Sequence, residues 1–165
     1  MVPAAWHAQH GAMGGPDFPD GGCSSSTAEP PDLAELRMLI ELGALRKLAD
    51  RGLTDKELAV SRRLACATVS SARSGDVPGY LEADAVFHLY LLGLTGDPVL
   101  TESARMLLDV GKGRRRAGRQ LAQRIAIRAG EHGEIVRLLA EDMVSAASEM
   151  LRHHVAEDLL GPGET

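Results

Sequence analysis

Aromatic residues are scarce: Phe, Tyr and Trp together make up 3% of the chain. A β-rich fold usually draws on such side chains together with Val and Ile. Here the apolar 44% is carried by Leu, Ala, Val, Met and Ile, which favours helices packed through Leu and Ala. Cysteine is nearly absent. Cys23 lies in a Gly- and Pro-rich tail and Cys66 stands far from it, so the sequence points to no structural disulfide and no oxidising compartment. No long hydrophobic run exists. Val86–Leu94 is the longest mainly apolar stretch, far too short to span a membrane, and it contains His88. Met1–Gly15 lacks a basic start and a continuous apolar stretch, so it does not read as a signal peptide. The chain reads as soluble and cytoplasmic.

A positive overall charge is also lacking. The net charge is −5, which does not suit a nucleic-acid binder taken whole. The distribution is uneven. Residues 97–128 hold eight basic and three acidic side chains, whereas residues 129–165 hold two basic and eight acidic. One basic island therefore sits inside an acidic chain.

Residues 1–31 are rich in Gly, Pro, Ser and Ala and cannot bury enough surface to offset their ordering entropy, so they read as a disordered tail. Order is expected from Asp32, an N-cap after Pro30-Pro31. Leu33, Leu36, Ile40, Ala44 and Leu48 recur at helical spacing up to Gly52, with Gly43 marking a bend. Thr54 and Glu57 form a capping box for a helix to about Arg62. A short helix over Cys66–Ser74 follows and stops at Gly75. Further helices are expected over Leu81–Leu92, Leu100–Val110 and Arg119–Ala129, with Gly130 and Gly133 as interruptions. A last helix covers 134–160. Its Val136, Leu139, Met143, Ala146 and Met150 make a short heptad-like seam.

The segment Leu53–Gly75 carries the most information. Two short amphipathic helices meet at a tight turn, with Leu58 and Ala59 inward on the first and Val69 and Ala72 inward on the second. An exposed helix of that size fits the major groove. Leu53-Thr54, Glu57-Leu58-Ala59, Thr68-Val69-Ser70, Ala72 and Ser74-Gly75 resemble the Cro/lambda-repressor-like (XRE-type) helix-turn-helix family without a gap. The resemblance covers roughly Leu45–Pro98. It implies an all-α fold, a five-helix lambda-repressor-like bundle, and sequence-specific binding of double-stranded DNA. Arg63 stands where the family's turn often has Gly, Ala65-Cys66 where it often has Ser-Arg, and Ser71 where it often has Arg.

The expected organisation is then a disordered tail over 1–31, a DNA-binding domain over 32–110, a basic linker over 111–118, and a helical arm over 119–160. Cys66, Ala67, Thr68, Ser70, Ser71 and Arg73 would face bases or phosphates. Thr54, Lys56 and Arg62 would touch the backbone from the supporting helix, and Arg114, Arg115 and Arg116 would lie along phosphates. The Arg run has a second reading, in which it pairs with the acidic last helix. The arm is either a homodimerisation element through 134–160 or a helix packed on its own domain. The whole function has an alternative too: an interaction protein built on a degenerate helix-turn-helix, with a protein partner instead of DNA.

No catalytic residue, cofactor site or metal ligand is assigned, and the chain is not expected to be an enzyme. Gly111-Lys112-Gly113 lacks phosphate-loop spacing. Glu149, His153 and Glu157 fall four apart on one helix, as do His154 and Asp158, but that spacing reads as exposed acid–histidine pairs rather than a metal site.

Overall fold

The computed structural model describes residues 31–112 and 119–157. Six helices account for them: α1 (Pro31–Arg51), α2 (Asp55–Ser74), α3 (Val77–Gly93), α4 (Pro98–Lys112), α5 (Arg119–Ala140) and α6 (Val144–Glu157). There is no strand among the described residues. The all-α expectation therefore holds, but the arrangement is not the five-helix bundle.

The first correction concerns α2. Residues 55–74, expected as two helices and a turn, form one uninterrupted helix. The physical reason lies in its buried stripe. Ser61, Ala65 and Thr68 are buried and Ala72 is half-buried, at steps of four, three and four. That register runs straight through the supposed turn. Nothing between Thr54 and Gly75 is Gly or Pro, so nothing local stops the helix. Both ends were legible. The Thr54–Glu57 capping box is present, and Gly75 ends the helix in the left-handed conformation with φ 72°.

The second correction concerns the last two helices. Gly130 and Gly133 do not break α5, which runs on to Ala140. Each Gly costs a helix about 1 kcal/mol relative to Ala. Burial of Ile125, Ala129, Ile135 and Val136 on the same helix outweighs that. The break comes at Glu141–Met143 instead. Asp142 takes φ 57°, its N–H bonds to the Leu139 carbonyl, and the Met143 N–H bonds to the Leu138 carbonyl. These two bonds cap the last carbonyls of α5 and turn the chain back.

The helix pair α5–α6 does not stand apart as an arm. Helix α5 packs on α2 and α3, and α6 packs on α5 and α1. Leu42 and Leu45 of α1 share a core cluster with Ile135, Leu138, Ala147, Leu151 and Val155 of α5 and α6. Val136 of α5 joins Leu48, Ala65, Phe87 and Leu91 from α1, α2 and α3. Of the two readings of the seam, a contact between copies or packing on its own domain, the second describes this packing. Leu139, Ala146 and Met150 pack on the first of these clusters, and only Met143, at the break, is exposed. Among the described residues no helix is long and apolar enough to cross a membrane. Of the tail expected over 1–31 only Pro31 is described, in α1, and of the linker expected over 111–118 only Gly111 and Lys112, in α4; residues 1–30, 113–118 and 158–165 lie outside the described residues.

Candidate metal centre

Helix α3 is the most apolar of the six, yet it buries two polar side chains, Asp84 and His88. They stand four residues apart and so share one face. That face points into the bundle, where α5 brings His132 and α6 brings His154. All four side chains are buried, at 2% exposure or less. Burying a carboxylate and three imidazoles together is costly unless each finds partners.

The partners are present, and they sort the ring nitrogens. On the outer side, His88 Nδ1 lies 2.8 Å from Glu41 Oε2, His154 Nδ1 lies 2.9 Å from Glu131 Oε2, and His132 Nδ1 lies 3.0 Å from Thr68 Oγ1. On the inner side, the Nε2 atoms converge. His88 and His154 approach to 3.1 Å, and His132 and His88 to 3.4 Å. Asp84 Oδ1 completes the group, 3.2 Å from His132, 3.6 Å from His154 and 3.8 Å from His88. One ligand atom from each of the four residues lies within 4.8 Å of the other three. Two ligands of one zinc-like ion, each about 2.1 Å from it, sit about 3.4 Å apart in tetrahedral geometry.

The electrostatics agree with this sorting. Burial raises the pKa of Asp84, but the close His132, His154 and His88 rings more than offset it and hold the carboxyl well below its usual range. Burial likewise acts on Glu41, and the Arg37 guanidinium and His88 overcome it, so Glu41 is ionised. Arg37 Nε reaches its Oε1 at 2.6 Å. Glu131 is also lowered against burial, by His154 and His153. Ionised carboxylates only accept, so Glu131 takes the Nδ1 proton of His154, while the Glu41 anion stands 2.8 Å from His88 Nδ1. In the neutral His154 ring this leaves the Nε2 lone pair facing His88 Nε2 beside an anion. Such a centre needs a cation. Burial pushes His132 down to about 4, favouring its neutral, ligating form. His154 is raised despite burial, because Asp84 and Glu131 stabilise its charge, so a proton can fill part of the need when no metal does.

Apart from Thr68, the described residues expected at DNA lie away from this centre. Thr54 caps α2, while Lys56, Arg62, Cys66, Ala67, Ser70 and Arg73 are exposed on it. Ser71 is half-buried. Thr68 is a correction: it is fully buried and faces His132, so it presents nothing to solvent. Arg114, Arg115 and Arg116 lie outside the described residues. The acid–histidine spacing on α6 is not the centre either. Glu149 pairs with Arg152, and His153 sits on the other oxygen of Glu131 at 3.0 Å. Only His154 of that series enters the cluster. Sequence reading assigned no ligand to Asp84, His88 or His132. The signal it could have used is Asp84-x-x-x-His88, two polar groups on one face of an otherwise apolar helix.

Residues 32–157 match the FCD domain family. No curated protein shows a significant match to the chain. Among solved structures, E. coli McbR/YncC is similar, with a TM-score of 0.65 and 16% identity over 78% of this chain and 61% of that one. That identity speaks for the fold alone, and the chain spans about 61% of the length of that protein's chain. The regulator class expected from sequence is right in kind, but the Cro/lambda-repressor (XRE) type is not the one found. The chain belongs to the FCD domain family, the effector-binding domain of GntR-family transcription regulators.

Proposed function

We propose that this chain is the sensing domain of a transcription regulator and that it holds a divalent first-row transition-metal ion at Asp84, His88, His132 and His154. The observation that carries the reading is the convergence of three Nε2 atoms on one buried carboxylate, each imidazole backed on its outer nitrogen by an oxygen. Three imidazoles and a carboxylate are borderline ligands and suit zinc, nickel, cobalt, iron or manganese. A bound ion supplies a fixed positive centre in the interior.

The residues of this chain do the rest. Asp84 and His88 come from α3, His132 from α5 and His154 from α6. Glu41 of α1 and Thr68 of α2 support them from outside. Five of the six described helices therefore meet at the site, so its occupancy bears on the packing of nearly the whole bundle. The domain acts by binding rather than by catalysis. Thr68 is turned inward and has no part in a contact with DNA.

Titration of the metal-stripped protein with Zn2+, Ni2+ and Mn2+ by calorimetry tests this. One ion per chain, lost in Asp84→Ala and in His154→Ala, is the expected result. Binding that is weak, multiple and unchanged in those variants would overturn it.

A further inference from the structure

We propose that Thr68 is a positioning residue of this centre: its hydroxyl fixes His132 as the Nδ1–H tautomer, which leaves the Nε2 lone pair directed at Asp84. The proposal rests on the metal reading above. A hydroxyl has one proton to give. Thr68 Oγ1 lies 2.7 Å from the Ala65 carbonyl oxygen, the usual length of a made O–H···O bond. With its proton directed there, the oxygen faces His132 Nδ1 at 3.0 Å with a lone pair, the usual length of an N–H···O bond. A neutral imidazole carries one N–H, so Nε2 is bare.

The placement is specific. Thr is a mediocre helix residue, and bonding back to its own helix destabilises it slightly. It nevertheless occupies a fully buried position of α2, opposite the one imidazole of the three whose Nδ1 meets no carboxylate. Glu41 and Glu131 already bring two anions beside Asp84, and a third carboxylate would raise the cost of the centre when no metal is bound. A hydroxyl fixes the ring without adding charge.

The test uses the full chain, with zinc as the probe. Thr68→Val keeps the shape and removes the acceptor, and Thr68→Ser restores it. Zinc affinity should fall about 10–100-fold in Thr68→Val, the usual effect of losing a partner behind a ligand, and should return in Thr68→Ser. Long-range 1H–15N correlation of the zinc-free, unaltered protein should show His132 protonated at Nδ1, and that measurement stands even where a variant fails to fold. A proton on Nε2 of His132 would overturn the proposal. So would unchanged affinity in Thr68→Val while Asp84→Ala abolishes binding, which would leave the metal reading intact. If the unaltered protein binds no zinc, the metal reading falls and the proposal with it.

Discussion

Thr68 of α2 and His132 of α5 meet at 3.0 Å across the core, 64 positions apart in sequence. The contact joins the helix that looked most like a DNA reader to the centre of the bundle. It explains why a polar residue at that position is not on the surface.

A metal ion that binds the folded chain and not the unfolded one should raise its stability. At a free concentration 100-fold above Kd the gain is about 2.7 kcal/mol. For a chain of this size that is roughly 5–10 °C in melting temperature, at about 2–4 °C per kcal/mol. Thermal scans with and without Zn2+ should show the shift in the unaltered protein. It should vanish in His88→Ala and be reversed by a chelator. A zinc-induced shift of equal size in His88→Ala would sink the assignment.

Arg63 distinguishes a continuous α2 from a helix-turn-helix. It is exposed and sits where a turn would welcome Gly. In an unbroken helix, Arg63→Gly should cost about 1 kcal/mol and Arg63→Ala should cost nothing measurable. Urea denaturation of the two variants reads the difference. A neutral or stabilising Arg63→Gly would restore the turn.

The capping box of α2 gives a pH prediction. The Glu57 carboxyl is lowered from 4.5 to about 2, mainly because it accepts the Thr54 backbone N–H, and further by Arg51 and the Thr54 hydroxyl. Because the folded-state value is depressed, its contribution to stability is present above about 4.5. It is lost as pH falls from there toward 2. Glu57→Gln should flatten this part of the stability profile without changing it near pH 7 in slope. Thr54→Ala removes the cap and should cost about 1 kcal/mol at neutral pH. If both variants follow the unaltered profile between pH 5 and 2, the box contributes nothing.

Two glycines should respond in opposite directions. Gly75 has φ 72°, so Gly75→Ala strains the stop of α2 and should cost about 1 kcal/mol. Gly43 lies inside α1, which runs through it without a stop, and a Cβ there meets nothing within 4 Å. Gly43→Ala should stabilise by about 0.5–1 kcal/mol. Chemical denaturation of the pair checks the sign. A destabilising Gly43→Ala would mean that α1 needs its glycine for reasons the packing does not show.

Helix existence was largely legible. The start of α1 after Pro30, the box at Thr54–Glu57, the stop at Gly75 and the helices near Leu81–Leu92 and Leu100–Val110 are all local signals, and each appears close to its expected place. The fold of α2 was not, because Leu53–Gly75 satisfies two patterns at once. Of its matches to a helix-turn-helix, Thr68 and Ala72 also fall on the continuous buried stripe that Ser61 and Ala65 begin. Only the partners α3 and α5 choose between the two. The α5–α6 boundary was misplaced for the opposite reason. Gly130 and Gly133 looked like the breakers, but core contacts held the helix through them, and Asp142 supplied the left-handed stop that is usually left to Gly.

What the sequence by itself determined is the class: scarce aromatics, abundant Leu and Ala, and local caps force a helical chain, since these depend on neighbours three or four residues away. What only the tertiary structure decided is the site. Asp84 and His88 share a helix face and could be paired from sequence, but His132 and His154 stand 44 and 66 positions beyond His88. His132 reaches it because α5 packs on α2 and α3, and His154 because the chain turns back at Asp142 and lays α6 against α5 and α1. Ligand convergence depends on helix packing, and packing is set by which apolar faces meet, a property of the assembled bundle and not of any one segment.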